Sequence, residues 1–192
     1  MFEHTVDLRA PSLAATHAIA AALAGLARVG DVIVLAGEMG SGKTAFAQGF
    51  GRALGVAEPI TSPTFTLVHS YDVTDRRCTL HHADLYRLDR TVEVADLALL
   101  ELAEDRGIVL VEWGDVADQL LGDHLTVLLE RDDEPVDEPA SDVDADDADS
   151  SAEATGIDFG LDEGRTVELS TSGTGWAARW PSLLDALEAY RC

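Results

Sequence analysis

The sequence predicts an α/β fold in one domain over residues 1–192: three layers, with helices packed on a mixed parallel and antiparallel sheet. Three observations carry this. Gly37-Glu38-Met39-Gly40-Ser41-Gly42-Lys43-Thr44 has the spacing G-x-x-x-x-G-K-[ST], preceded by the apolar run Val32-Ile33-Val34-Leu35-Ala36. Behind it Phe46, Phe50 and Leu54 recur at helical spacing, so strand, glycine loop and helix follow in the order a phosphate-binding loop (P-loop) requires. Next, Ile108-Val109-Leu110-Val111 is wholly apolar and ends in Glu112-Trp113, the pattern of a central strand buried on both faces. Finally, residues 62–71 and 78–83 read as two strands joined by a short polar connection, an antiparallel hairpin added to that centre.

The elements follow in order. Residues 2–8 alternate weakly and suit a first, edge strand. Ser12 caps a helix with Leu13, Ala20, Leu23 and Ala27 on one face, ended by Gly30-Asp31. The strand 32–36, the loop and its helix come next, with Gly55 as the helix stop. Pro59 and Pro63 keep residues 55–62 out of a helix. After the hairpin, Val94, Leu97, Leu100 and Ala103 give residues 92–104 a helical period that Gly107 breaks. A short helix over 116–121, strands over 124–130 and 165–170, and an amphipathic helix over 180–190 with Leu183, Leu184 and Leu187 complete the chain.

Residues 132–163 hold fourteen Asp or Glu and no Lys or Arg, and interrupt this pattern. They are too polar to bury a core and longer than ordinary loops, and read first as a disordered or mobile solvated surface insert, with an acidic partner-docking arm as the alternative. The net charge of −23 argues against a broad nucleic-acid surface, so contact with RNA is expected only through a partner. No run approaches the ~18 apolar residues of a membrane span, and the start of the chain lacks a basic-then-apolar leader. Two cysteines make no disulfide framework, and a reducing cytoplasm is the expected location. Surplus carboxylate with Arg in place of Lys suits a salt-adapted host or a GC-rich genome equally.

The loop's glycines let its backbone curl until N–H groups converge on a polyphosphate beside the positive end of a helix. Lys43, the one lysine of the chain, is placed to reach the β and γ phosphates, and the Thr44 hydroxyl to hold Mg²⁺. Magnesium needs a second anchor and hydrolysis needs a group that orients water. Glu112 and Asp84, each directly after a strand, are the candidates. Glu112 ends the more apolar strand and is expected nearer the core, whereas Asp84 is expected to have more freedom. Ser62 and Thr64, on a Pro-stiffened stretch, suit a γ-phosphate sensor and simple strand capping equally. Cys78, His81 and His82 do not suggest a metal site, because adjacent strand residues face opposite ways.

The phosphate loop, Ser62-Pro63-Thr64-Phe65-Thr66-Leu67-Val68, His82-Ala83-Asp84-Leu85-Tyr86-Arg87-Leu88 and Val111-Glu112-Trp113 together resemble the TsaE family of small ATPases, in order and spacing. The resemblance covers about residues 12–131 and, more weakly, the last strand and helix. It implies a P-loop NTPase domain that binds and slowly hydrolyses Mg-ATP in support of the threonylcarbamoyl modification of adenosine 37 in tRNAs reading codons that begin with A. It further implies a TsaD–TsaB-type partner complex that performs the transfer and meets the tRNA. Thr44 and Glu112 would bind Mg²⁺, with Asp84 close to the metal and the attacking water. The implied nucleotide contacts are Gly37, Glu38, Met39, Gly40, Ser41, Gly42, Lys43, Thr44, Ser62, Thr64 and Trp113, with Lys43, Asp84 and Glu112 catalytic. The acidic insert and Ala83, where the family usually has a bulkier apolar residue, depart from the pattern.

Other readings are narrower. A GTPase needs an Asn-Lys-x-Asp base reader, which the single lysine at 43 excludes. A small-molecule kinase should show an arginine-bearing lid, where the late chain has carboxylates instead. A non-catalytic nucleotide switch stays open, since both acids would then serve only to hold Mg²⁺.

Overall fold

The computed structural model describes residues 2–63, 66–86, 97–114, 120–132 and 164–192. Its strands are β1 (Phe2–Ala10), β2 (Val32–Ala36), β3 (Val68–Val73), β4 (Cys78–Asp84), β5 (Gly107–Glu112), β6 (His124–Arg131) and β7 (Arg165–Ser172). They form one sheet in the order β1-β7-β6-β2-β5-β4-β3. β2 runs parallel to β5 and β6, and β4 parallel to β5. The β1–β7, β6–β7 and β3–β4 pairs are antiparallel, so the sheet is mixed, with a parallel centre and antiparallel edges.

The helices are α1 (Leu13–Leu26), α2 (Lys43–Leu54), α3 (Leu99–Glu104) and α4 (Trp180–Ala186). Side chains alternate across β2. Ile33 and Leu35 join the core beneath α1, α2 and α4 with Phe46, Phe50 and Leu183, while Val32 and Val34 join the opposite core with Leu99 and Ala103 of α3. That two-sided burial is why the central strands read as unbroken apolar runs rather than alternating ones. Phe46 and Phe50 are fully buried, each contributing about 2 kcal/mol of transfer free energy, and they fix α2 with the phosphate loop at its N-terminus.

Local chemistry sets the boundaries. Ser12 Oγ accepts from Ala15 N at 3.2 Å and starts α1, which ends at Leu26 rather than at Gly30. Its buried face is Ala15, Thr16, Ile19, Ala20, Leu23 and Ala24, with Leu13 only partly covered. Gly55 at φ +94° stops α2 as its position predicts. The strand expected over 62–71 is corrected: β3 begins at Val68. Pro63 has no N–H to offer a ladder, and its carbonyl instead accepts from Thr66 N and Leu67 N, closing a turn. β3 continues to Val73, and the single tight turn Thr74–Arg76, with Arg77 at φ +51°, joins it to β4.

The expected helix over 92–104 is described only from Leu99 on. In the expected helix over 116–121, residues 116–119 lie outside the described residues. The closing helix breaks at Ala186 and finishes as a tighter turn, Glu188–Tyr190. Asp132, assigned by its charge to the insert, is tied to β7. Its N–H donates to Gly164 O, Thr166 Oγ1 donates to its carboxylate at 3.1 Å, and Arg9 stands 3.0 Å from it. The remaining insert, residues 133–163, lies outside the described residues.

Candidate active site

The phosphate loop leaves the carboxyl end of β2 and enters α2 through Gly42, which caps the helix in the left-handed region at φ +106°. Lys43 and Thr44 are the first two helical residues, so their side chains rise beside the helix's positive end. Lys43 is almost fully buried: its Nζ donates to Gly37 O at 2.8 Å and Glu38 O at 2.7 Å. The same ammonium lies 3.9 Å from the centre of the Trp113 ring, which in turn meets the Tyr86 ring at 5.0 Å. Lys43 thus braces the loop as well as carrying a charge into it.

β4 and β5 bring the two acids together. Asp84 and Glu112 are register partners on neighbouring parallel strands, so they stand side by side on one face of the sheet. Thr44 Oγ1 donates to Glu112 Oε1 at 2.9 Å, which brings together the two residues expected to share a cation. His82 Nε2 meets the same Oε1 at 2.8 Å, wholly buried, and against a carboxylate this nitrogen carries the proton. Both bonds fall on Oε1, leaving Oε2 without a hydrogen bond among the described residues. Asp84 accepts from Ser62 Oγ at 3.1 Å and from Tyr86 N at 2.9 Å.

The expected contrast in depth between the acids is not found, since Asp84 and Glu112 are each 3% exposed. Asp84 is also tethered rather than loose, because the turn after β4 folds the Tyr86 N–H back onto it. Ser62 therefore reaches the site through Asp84, whereas Thr64 lies outside the described residues. Within the loop, Gly37, Glu38 and Gly40 shape the cradle, Met39 points outward at 68% exposure, and Ser41 is buried with its Oγ lacking a hydrogen-bond partner among the described residues.

His81 points away from this centre to Ser70 Oγ at 2.9 Å, and burial holds its imidazole below the ordinary value, partly offset by Asp105. The two neighbouring histidines thus do different work on opposite faces. Sequence reasoning set His82 aside as a metal ligand and gave it no other role, although its place two residues before Asp84 puts it on the acid's own face of the strand. It also passed over Arg131 and Arg165, whose guanidinium groups reach the loop's carbonyls from β6 and β7.

The donor set fits magnesium. A hydroxyl and a carboxylate with an uncommitted oxygen are hard oxygen ligands beside a phosphate cradle. Mg²⁺ normally takes one or two such protein ligands and completes its shell with water and phosphate. No group of three His, Cys, Asp or Glu residues that could hold a metal ion occurs among the described residues.

Known proteins align with this arrangement. The family model described as "Threonylcarbamoyl adenosine biosynthesis protein TsaE" matches residues 10–138. The tRNA threonylcarbamoyladenosine biosynthesis protein TsaE of Bacillus subtilis is 40% identical over 117 residues, 60% of this chain and 72% of that protein. Its namesake in Synechocystis is 39% identical over 124 residues, 62% of this chain and 77% of that one. The crystal structure of Bacillus subtilis YdiB superposes with a TM-score of 0.66 at 26% identity, covering 95% of each chain. The match takes in the phosphate loop, both acids and His82, and the chain belongs to the TsaE family.

Proposed function

We propose that this chain binds Mg-ATP and hydrolyses it slowly in support of threonylcarbamoyladenosine formation in tRNA, acting with a TsaD–TsaB-type complex that performs the transfer. The observation that carries the reading is the Thr44–Glu112 contact at 2.9 Å, at the start of α2 and beside Lys43. A hydroxyl and a carboxylate so joined at a phosphate loop are the two protein anchors a nucleotide-bound cation needs. The relatives named for tRNA threonylcarbamoyladenosine biosynthesis supply the pathway.

When bound, magnesium would neutralise charge on the phosphate oxygens. The chain's own residues do the rest. Gly37 to Thr44 present backbone N–H groups to the polyphosphate, and Lys43 holds its ammonium at the mouth of the cradle. His82 fixes the Glu112 carboxylate through Oε1, which would leave Oε2 available to hold a cation. Asp84, aligned by Ser62 and the Tyr86 N–H, orients the attacking water and accepts its proton. Trp113 and Tyr86 form an aromatic wall beside the lysine, which limits the water reaching it.

The net charge of −23 supports leaving tRNA contact to the partner rather than to this chain. No helix among the described residues is long and apolar enough to cross a membrane. The test is ATP turnover with and without a TsaD–TsaB pair, together with capture of that pair in ATP and in nucleotide-free buffer. Slow turnover alone and nucleotide-dependent capture are expected. Nucleotide-dependent capture without any turnover would replace the enzyme by a nucleotide switch, and phosphate transfer to a small acceptor would make it a kinase.

A further inference from the structure

The last residue pair along the β6–β7 ladder sets Arg131 opposite Arg165. Both side chains reach the back of the phosphate loop. Arg131 donates through Nε at 3.1 Å and Nη2 at 2.9 Å to Gly40 O, and Arg165 donates through Nε to Ser41 O at 2.8 Å. Arg131 is exposed, whereas Arg165 is wholly buried. A loop that turns its N–H groups inward to a phosphate must turn carbonyls outward, and those carbonyls need donors.

The glycines of the motif make room for these donors. Gly40 and Gly42 sit at φ +79° and +106°. A Cβ at Gly40 would strike Arg131 Nη2, and one at Gly42 would stand 2.7 Å from Arg165 Nε. The backbone angle requires glycine at both positions, and at Gly42 the buried Arg165 side chain requires it a second time, whereas exposed Arg131 can swing aside from Gly40.

We propose that Arg131 and Arg165 are positioning residues, a two-armed clamp that holds the phosphate loop in its cradle shape before nucleotide arrives. The inference rests on the nucleotide reading above for its purpose, but not for its geometry. Arg165 lies beyond residues 10–138, the stretch the family model matches. The Ser41 carbonyl and the Gly42 N–H belong to one peptide unit. A cation on that oxygen draws electron density from the unit and makes the N–H a stronger donor to an anion. The clamp also fixes two positive charges behind the loop of a strongly acidic chain.

Amide hydrogen exchange of the nucleotide-free full chain, followed by calorimetric titration with Mg-ATP, tests the clamp in the wild type, Arg131→Gln and Arg165→Lys. Both variants should exchange faster across residues 37–44 while β2 stays protected. Both should bind Mg-ATP more weakly, by about three- to tenfold at Arg131 and more at buried Arg165, in line with hydrogen bonds made by charged groups. Exchange across 37–44 equal to wild type in Arg131→Gln, whose exposed position tolerates the change, overturns the clamp. So does faster exchange with unchanged affinity, which would leave the arginines a structural role only. If Arg165→Lys fails to fold, Arg131→Gln decides alone. Absence of Mg-ATP binding by the wild type would overturn the nucleotide reading, and the exchange comparison would still decide the clamp.

Discussion

On the β4–β5 side of the phosphate loop the strands end in carboxylates, and on the β6–β7 side they meet at arginines. Asp84 and Glu112 stand on the side proposed above for phosphate and cation, and they bond to hydroxyl, imidazole and backbone donors. Arg131 and Arg165 face the opposite way, onto the carbonyls of Gly40 and Ser41. The division follows from charge. A site for an anion bridged by a cation needs acids at the metal and donors for the outward carbonyls of the loop. The proposed function and the proposed clamp thus put chemistry on one flank and loop geometry on the other, with Lys43 and Thr44 between them.

Lys43→Ala attacks the junction of the flanks and should have the largest effect. ATP turnover is expected to fall by about a hundredfold or more, with weakened binding, because a cation that stabilises a transferring phosphoryl group is removed. Since Lys43 also braces Gly37 O and Glu38 O, some loss of thermal stability should accompany it. Calorimetry and phosphate release check this, and unchanged affinity and turnover would remove the assignment.

Asp84→Asn sharpens the comparison within the acidic flank. The amide keeps its oxygen for the Tyr86 N–H and turns its NH2 to the Ser62 hydroxyl, which can accept, but the base is lost, so turnover should drop by about a hundredfold with ATP affinity little changed. A larger shift in Mg²⁺ requirement than in rate would make Asp84 the principal metal ligand instead. The smallest effect is expected from the acidic tract. Replacing residues 133–163 by a short Gly-Ser link, with Arg131, Asp132 and Arg165 kept, should leave turnover within about twofold at matched salt. A folded variant with clearly lower turnover would show that the tract serves catalysis.

The two flanks also differed in how far the sequence disclosed them. Lys43, Thr44 and Glu112 stand at motif spacing or at the end of an apolar strand, positions that local pattern marks. The Thr44–Glu112 contact was readable for that reason. The equal burial of Asp84 was not, because His81 and His82 make β4 look polar although each is sequestered by a partner, Ser70 and Glu112 respectively. Arg131 and Arg165 carry no local signature: their role depends on β6 and β7 pairing in register across an insert. The start of β3 was misplaced because hydroxyl and aromatic residues favour a strand, while Pro63 takes its neighbours' N–H groups into a turn.

The central claim is that Thr44 and Glu112 act as one cation-holding unit, and a double-mutant cycle tests it most directly. Mg²⁺-dependent ATP affinity would be measured by calorimetry for the wild type, Thr44→Ala, Glu112→Gln and the pair. Each single variant is expected to lose most of the gain in affinity that Mg²⁺ confers, and the double variant little more than either, a non-additivity of about 1 kcal/mol or more. Additive losses, or a Glu112→Gln variant that keeps the full Mg²⁺ effect, would contradict the account.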